Sequence, residues 1–180
     1  MRTYTVDIVG KKVDLPVYQI GENLSIAFFN LHGAQELTEY CGKQLAERIK
    51  DKKPDVVLTA ESKGLQLAHV VARELDHDFY AVARKSKKLY MQDGISTTTQ
   101  SITTAGQQTL YLSAHDEKLI EGGKRVAIVD DVISTGGSLA SLEKLVEIAG
   151  GEVVCKAFVL AEGAAKDRPD VMYLGTIPLL

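Results

Sequence analysis

The sequence contains few cysteines and little net charge, and both shortages limit what the protein can be. Its two cysteines, Cys41 and Cys155, lie far apart and belong to no C-x-x-C motif or zinc-like histidine spacing. We therefore expect buried, reduced thiols, which suit a reducing cytoplasm. The formal net charge of the 180-residue chain is −3, whereas general nucleic-acid binders usually carry a basic excess. The composition therefore disfavours a nucleic-acid partner.

Long apolar runs are also missing. Charged residues interrupt the first twenty positions at Arg2, Asp7, Lys11, Lys12 and Asp14, so we expect no signal-peptide core there. No uninterrupted stretch approaches the ~20 apolar residues of a membrane helix, and we expect a cytoplasmic protein without a membrane partner. Apolar residues nevertheless make up 45% of the chain, enough for the core of one domain of ordinary size.

Apolar periodicity predicts strands that alternate with helices. Leu37, Cys41, Leu45 and Ile49 recur every four residues, as in an amphipathic helix. The predicted helices span about 33–51, 65–75 and 138–149. Segments with strand character lie at 4–8, 13–18, 24–29, 56–58, 79–83, 108–112, 126–129, 153–160 and 171–177.

This alternation predicts an α/β fold with a mainly parallel, twisted sheet flanked by helices. Such sheets bind ligands beyond the carboxyl ends of their strands, at the point where the strand order reverses. We therefore expect the chemistry in the loops that follow Leu58, Ala83 and Val129.

The segment from Met91 to Gln108 differs from the rest of the chain. It is rich in Thr, Ser, Gln and Gly, and most of it has no convincing core face. It is predicted to be a long mobile loop or a loose hairpin. Long loops in compact domains are often active-site lids.

One segment, Val126 to Ser138, combines an apolar strand, two adjacent carboxylates, a loop of small residues and the start of a helix. A helix N-terminus has unpaired N–H groups and a partial positive charge, so it binds phosphate well. The glycines let the backbone approach an anion closely, and the hydroxyls add donors. The residues expected to hold the anion are Ser134, Thr135, Gly136, Gly137 and Ser138.

The carboxylates Asp130 and Asp131 would repel a phosphate placed beside them. They suit neutral hydroxyls, such as the 2′- and 3′-OH groups of a ribose, or a metal carried by the ligand. A plain strand-to-helix turn with a capping Asp is the alternative, but the full combination favours the ligand site. The G-x-x-x-x-G-K-[ST] spacing of a P-loop is missing.

The segment resembles the signature of type I phosphoribosyltransferases. The order of segments over about residues 24–162 is similar to the purine members, namely the adenine and xanthine enzymes and their regulatory relative. In that family the loop binds the 5′-phosphate of 5-phosphoribosyl 1-pyrophosphate, and the two acids bind its ribose hydroxyls. The resemblance thus implies Asp130 and Asp131 as the catalytic pair. It also implies a purine base as acceptor, a role in purine salvage, Mg²⁺ held mainly through the ligand pyrophosphate, and a homodimer.

A first anion cradle for the pyrophosphate is expected at Ser62, Lys63 and Gly64, which lie between a predicted strand and a predicted helix. The position resembles the pyrophosphate-binding loop of the family. The alternative is an ordinary helix start.

A second basic segment follows the strand that ends near Ala83, with four cations among Arg84 to Lys88. Arg84 and Lys85 match an Arg-Lys pair of the family, and Lys87 matches a further basic position. By itself the segment would suit a solvated surface run, but the donor signature favours a pyrophosphate site.

The base is expected against Phe28, Phe29 and Asn30, which resemble the hood of the family; apolar core with an Asn turn is the alternative. The hood is expected to comprise about residues 1–35 and the C-terminal tail, and the core about residues 36–162. All 180 residues are expected to form one phosphoribosyltransferase-like domain.

Two departures from the family leave the acceptor base open. The mobile-loop Tyr and Glu of adenine enzymes are replaced by Thr104 and Ala105, and the lysine of xanthine enzymes is replaced by Gly163. Adenine is favoured over xanthine or guanine because no lysine is available to contact an oxo group. The other candidates are a non-catalytic sensor of the same donor and an orotate or pyrimidine enzyme. Sensors of this kind carry an added DNA-binding domain, for which we expect no room in this chain.

Overall fold

A computed structural model describes residues 2–100 and 107–180. Its strands are β1 (Thr3–Ile8), β2 (Lys11–Gly21), β3 (Leu24–Ala27), β4 (Val56–Ala60), β5 (Ala81–Ala83), β6 (Ile95–Gln100), β7 (Gln107–Leu112), β8 (Arg125–Ile133), β9 (Glu152–Glu162) and β10 (Met172–Ile177). Its α-helices are α1 (Gln35–Ile49), α2 (Leu65–Glu74), α3 (Ala114–Lys118) and α4 (Gly137–Ala149). Short 3₁₀ helices lie at Lys50–Lys52 and Gly163–Asp167.

The central sheet has the strand order β10-β9-β8-β4-β5, and every neighbouring pair in it is parallel. Alternate residues of its strands face opposite sides. Val57 of β4 packs with α1 and α2, whereas Val56 and Leu58 pack with α4. Both faces are therefore covered, which explains why all five residues of β4 are buried. The predicted α/β fold with a mainly parallel sheet is confirmed.

The strand order reverses between β4 and β8. From β4 the chain crosses through α2 to β5 on one side, and it later returns through β8 to β9 on the other. The loops that follow β4, β5 and β8 consequently meet at one edge of the sheet, where a parallel sheet of this kind forms a crevice.

A separate antiparallel sheet, β1-β2-β3, lies beside the central sheet. The end of the chain joins this sheet: the Ser25 N–H donates to the Leu180 carbonyl at 2.6 Å, and the Leu180 N–H donates back at 3.1 Å. The N-terminal sheet and the C-terminal tail are thus directly connected, as the expected hood would require.

Two local features differ from the predictions, and the described part of the 91–108 segment contains the hairpin that was one of its two predicted forms. Strand β8 continues to Ile133, beyond the predicted end at Val129, because residues 130–133 still pair with β9. Helix α3 was not predicted. Within the 91–108 segment, β6 pairs with β7 as a hairpin, and Met91 is buried with 3% of its surface exposed. Thr104 and Ala105 lie outside the described residues, and the mobility of the segment stays a prediction.

The described helices include none that is long and apolar enough to span a membrane. Cys41 is buried, as predicted, whereas Cys155 is only half-buried. Burial raises the pKa of the Cys41 thiol to about 12 and that of Cys155 to about 11, so both thiols are poor nucleophiles at neutral pH.

Candidate active site

A cavity of about 320 Å³ opens at the edge of the sheet where the strand order reverses. Its walls include the loop after β4, Lys85 after β5, and the segment from the end of β8 to the start of α4. The residues predicted for the site that line it are Ser62, Lys63, Lys85, Asp130, Asp131, Ser134, Thr135, Gly136, Gly137 and Ser138. Predicted residues from three separate parts of the sequence thus lie around one cavity.

The N-terminus of α4 forms one wall and has no cap of its own. Gly136 is the N-cap residue with φ +85°, a left-handed conformation that favours glycine, and within the described residues the helix start has no side-chain cap hydrogen bond. The first turn contains no acidic residue. The partial positive charge of the helix end is therefore uncompensated and can be satisfied by an external anion.

Asp130 and Asp131 lie in the carboxyl-terminal half of β8 rather than in the loop after it. The Asp131 N–H donates to Asp130 Oδ1, and the Val132 N–H donates to Asp131 Oδ1, both at 2.9 Å. Burial raises the pKa of Asp130, and the neighbouring Asp131 carboxylate raises it further, while Lys85 partly opposes the shift. Asp130 thus keeps its proton to a higher pH than an ordinary aspartate unless a ligand stabilises its charge.

The loop after β4 approaches Asp130 closely. The peptide bond between Glu61 and Ser62 is cis. A β-carbon at Gly64 would overlap the Thr59 hydroxyl and would lie 2.7 Å from Asp130 Oδ1. Gly64 is also the N-cap of α2, again without a side-chain cap or an acidic residue in the first turn. Only glycine fits at this position, although Gly64 itself does not line the cavity.

Glu61 was missed by the sequence analysis, although it lines the cavity. Its Oε1 accepts the Lys85 N–H at 2.6 Å, and its Oε2 lies 3.4 Å from Arg84 Nε. Arg84 is also held through its backbone, which exchanges hydrogen bonds with Tyr111. Glu61 therefore ties the two predicted pyrophosphate loops together, and the Arg84 guanidinium faces Glu61 instead of lining the cavity. The one signal in the sequence for Glu61 was its position directly after β4.

The two lysines that line the cavity have no carboxylate partner in the described part of the chain. Among the described residues, no Asp or Glu oxygen lies within 4 Å of the amino groups of Lys63 or Lys85. Lys63 Nζ lies over the Phe28 ring, 4.8 Å from its centroid. The sequence predicted Lys87 at the pyrophosphate site, but this residue is exposed and does not line the cavity.

The expected base-contacting residues divide between surface and core. Phe28 is half-buried and meets Tyr18 edge-on at 5.7 Å. Phe29 is only 3% exposed and packs in the core, so for this residue the core interpretation fits better. The Asn30 Oδ1 accepts the His32 N–H at 3.1 Å and stabilises a turn. Gly163 has φ +58°, and a β-carbon there would lie 3.2 Å from the Leu179 side chain.

Comparisons with known proteins agree with this geometry. Residues 30–177 match the family described as the phosphoribosyl transferase domain. The chain is 36% identical over 150 residues to a xanthine phosphoribosyltransferase of Exiguobacterium sp., covering 83% of the chain and 76% of the relative. It is 37% identical over 125 residues to an adenine phosphoribosyltransferase of Clostridium botulinum, covering 69% of each. The crystal structure of adenine phosphoribosyltransferase from Rhodothermus marinus is 28% identical with a TM-score of 0.67, covering 99% of the chain and 94% of that structure.

Proposed function

Because the chain belongs to the phosphoribosyltransferase family, we propose that it transfers the phosphoribosyl group of 5-phosphoribosyl 1-pyrophosphate to a purine base. The products are a nucleoside 5′-monophosphate and pyrophosphate, as in purine salvage. One observation supports this function above all: a carboxylate pair, with Asp131 buried and Asp130 half-buried, and an uncapped helix N-terminus line the same cavity. Such a site suits a ligand with hydroxyls at one end and a phosphate at the other.

In this proposal the 5′-phosphate binds the N–H groups and hydroxyls of Ser134 to Ser138. The ribose hydroxyls donate hydrogen bonds to Asp130 and Asp131, and these bonds stabilise the charged form of Asp130. The pyrophosphate lies between Ser62 to Gly64 and Lys85, with Lys63 leaving the Phe28 ring to join it. Arg84 positions Lys85 through Glu61, and Lys87 contributes its charge from outside the cavity.

The reaction breaks the bond between C1 of the ribose and the pyrophosphate oxygen, and a ring nitrogen of the base forms the new bond to C1. The proton that this nitrogen loses passes to the leaving pyrophosphate or to solvent. The leaving pyrophosphate gains negative charge, which Lys63 and Lys85 stabilise. Asp130 and Asp131 anchor the ribose while C1 moves from one group to the other. The 91–108 segment is proposed to close over the site and exclude water, which would otherwise compete as acceptor.

Magnesium is proposed to enter with the donor. Among the described residues, no group of three or more His, Cys, Asp and Glu side chains could hold a metal ion. A metal held mainly by the pyrophosphate oxygens fits a cavity that contains both carboxylates and free lysines. When bound, magnesium would neutralise part of the charge on the leaving group.

The base is proposed to bind under a hood made of about residues 1–35 and the C-terminal tail, beside a core of about residues 36–162. Phe28 is the ring available for stacking, and the buried Phe29 supports it from the core. Adenine is favoured because Gly163 offers no side chain to an oxo group; the xanthine relative supports xanthine as the second candidate. A cytoplasmic homodimer is part of the same proposal.

The test is a steady-state assay with the donor, magnesium and each of adenine, hypoxanthine, guanine and xanthine. We expect the highest kcat/KM with adenine and no turnover by Asp130→Asn/Asp131→Asn. A preference for xanthine or guanine would overturn the base assignment but keep the enzyme. Donor binding without turnover of any base would identify a sensor, and absence of donor binding would overturn the proposed function.

A further inference from the structure

Arg168 lies beside the anion-binding loop but belongs to a distant part of the chain, after the 3₁₀ helix at Gly163–Asp167. A β-carbon at Gly136 would lie 2.5 Å from Arg168 Nη1 and 3.7 Å from its Cζ. The guanidinium therefore lies directly against the backbone of the loop at its left-handed residue. Arg168 does not line the cavity, so it contacts the loop from outside the ligand space.

The guanidinium is held in place by a bidentate ion pair. Arg168 Nε donates to Asp170 Oδ1 at 3.0 Å, and Nη2 donates to Asp170 Oδ2 at 2.7 Å. These two parallel bonds fix the plane of the guanidinium and leave Nη1 on the side of Gly136. The hydrogen bonds from Arg168, and then from Lys156, hold the pKa of Asp170 well below its usual range.

The ion pair continues into a network that returns to α4. Lys156 Nζ lies 3.0 Å from Asp170 Oδ2 and also contacts Glu143 Oε1 on α4. The Lys156 side chain is only 18% exposed. The chain of contacts thus starts at the N-cap of α4, passes through Arg168, Asp170 and Lys156, and ends about two helical turns further along the same helix.

We propose that Arg168 is a positioning residue for the anion-binding loop, keeping Gly136 and the N–H groups after it in the geometry that receives a phosphate. This inference rests on the proposed function. An isolated surface ion pair contributes little, but this one is bidentate, belongs to a network and contacts the loop backbone. The loop has no side-chain cap, so its conformation depends on such external contacts.

The experiment compares two ligands that report on the two ends of the site: ribose 5-phosphate for the 134–138 loop, and magnesium pyrophosphate for the 62–64 and 84–85 loops. Calorimetry is carried out on the wild type, Arg168→Ala, Arg168→Lys and Arg48→Ala. Arg48 is the matched control, because it is an exposed arginine that donates to the Tyr173 carbonyl at 3.0 Å and does not touch the loop. The steady-state kcat and the donor KM are measured for the same variants.

For Arg168→Ala we expect ribose 5-phosphate binding to weaken about tenfold, equivalent to about 1.4 kcal/mol, with pyrophosphate binding unchanged and the loss appearing in KM more than in kcat. Arg168→Lys should not restore binding, because an ammonium cannot form the bidentate pair with Asp170. Arg48→Ala should match the wild type.

Unchanged ribose 5-phosphate binding by Arg168→Ala would overturn the inference, as would an equal loss for both ligands, which indicates general destabilisation. Full rescue by Arg168→Lys would show that charge alone matters and would also overturn it. Failure of the wild type to bind ribose 5-phosphate would instead overturn the proposed function on which the inference rests.

Discussion

Helices α3 and α4 both begin near two acidic residues, but the acids serve opposite purposes. At α3, the Ser113 hydroxyl accepts the Asp116 N–H at 3.2 Å, and Asp116 and Glu117 occupy the first turn. At α4, no side chain caps the helix, and Asp130 and Asp131 lie before it in β8. The acids of α3 compensate their own helix, whereas those of α4 leave the helix end free.

The comparison indicates that the start of α4 is less well stabilised in the free protein than the start of α3, and that this favours binding of a ligand there. A glycine in place of a capping side chain costs roughly a few tenths of a kcal/mol, and burial together with the neighbouring Asp131 carboxylate raises the pKa of Asp130. Both features are unfavourable in the free protein, and both are relieved by a ligand that offers a phosphate to the helix and hydroxyls to the acids.

Neutralising the acids before α4 should have the largest effect. In Asp130→Asn/Asp131→Asn, each ribose hydroxyl loses a charge-assisted acceptor worth about 1.5–3 kcal/mol, so donor affinity should fall on the order of 100-fold or more. Calorimetry with the donor and magnesium measures the change. Near-wild-type affinity would rule out the ribose assignment.

The second prediction makes the start of α4 resemble that of α3. Gly136→Asp places a carboxylate at the uncapped helix end, where it should repel the phosphate. Gly136→Asn is the matched control, since its side chain meets Arg168 and the positive φ in the same way. Relative to Asn, the Asp variant should bind ribose 5-phosphate about tenfold more weakly, or about 1.4 kcal/mol. Equal affinities would argue against a phosphate at this helix end.

The third prediction neutralises an acid of α3. Asp116 Oδ1 accepts the Val82 N–H at 3.0 Å, and its other oxygen bonds the Ser113 hydroxyl. Asp116→Asn should lower the free energy of unfolding by about 1 kcal/mol, as measured by urea denaturation, while donor affinity stays unchanged. A large loss of donor binding would show that Asp116 also affects the ligand site, and would contradict the distinction between α3 and α4.

The smallest effect concerns pH. Because the folded-state pKa of Asp130 is raised, its contribution to stability is present below the unfolded pKa and is lost as pH rises through the folded value. As the pH rises above the ordinary aspartate pKa of about 4, the free energy of unfolding of Asp130→Asn should therefore increase relative to that of the wild type. Thermal unfolding across pH measures this, with the exposed Asp51→Asn as control. A constant difference across pH would contradict the raised pKa.

Local sequence was sufficient to predict the order of strand, loop and helix over Val126 to Ser138. It failed where the outcome depends on distant partners. Pairing with β9 keeps Asp130 and its neighbours in a strand that their charges had suggested should end. Neither the bond from Lys85 to Glu61 nor the contact of Arg168 with Gly136 follows from spacing, because the fold alone brings these residues together.

The different burial of the adjacent residues Phe28 and Phe29 could not be predicted from the sequence either. Phe28 and Phe29 are equally apolar in sequence, but only the packing against the core decides that Phe29 is buried and Phe28 is not. Helix α3 has five residues, too few for apolar periodicity to reveal it.

The most direct measurement is a crystal structure of the protein with 5-phosphoribosyl 1-pyrophosphate and magnesium. We expect the 5′-phosphate within hydrogen-bond distance of the N–H groups of Ser134 to Ser138, and the ribose hydroxyls on Asp130 and Asp131. A phosphate bound elsewhere, or carboxylates that face away from the ribose, would contradict the account.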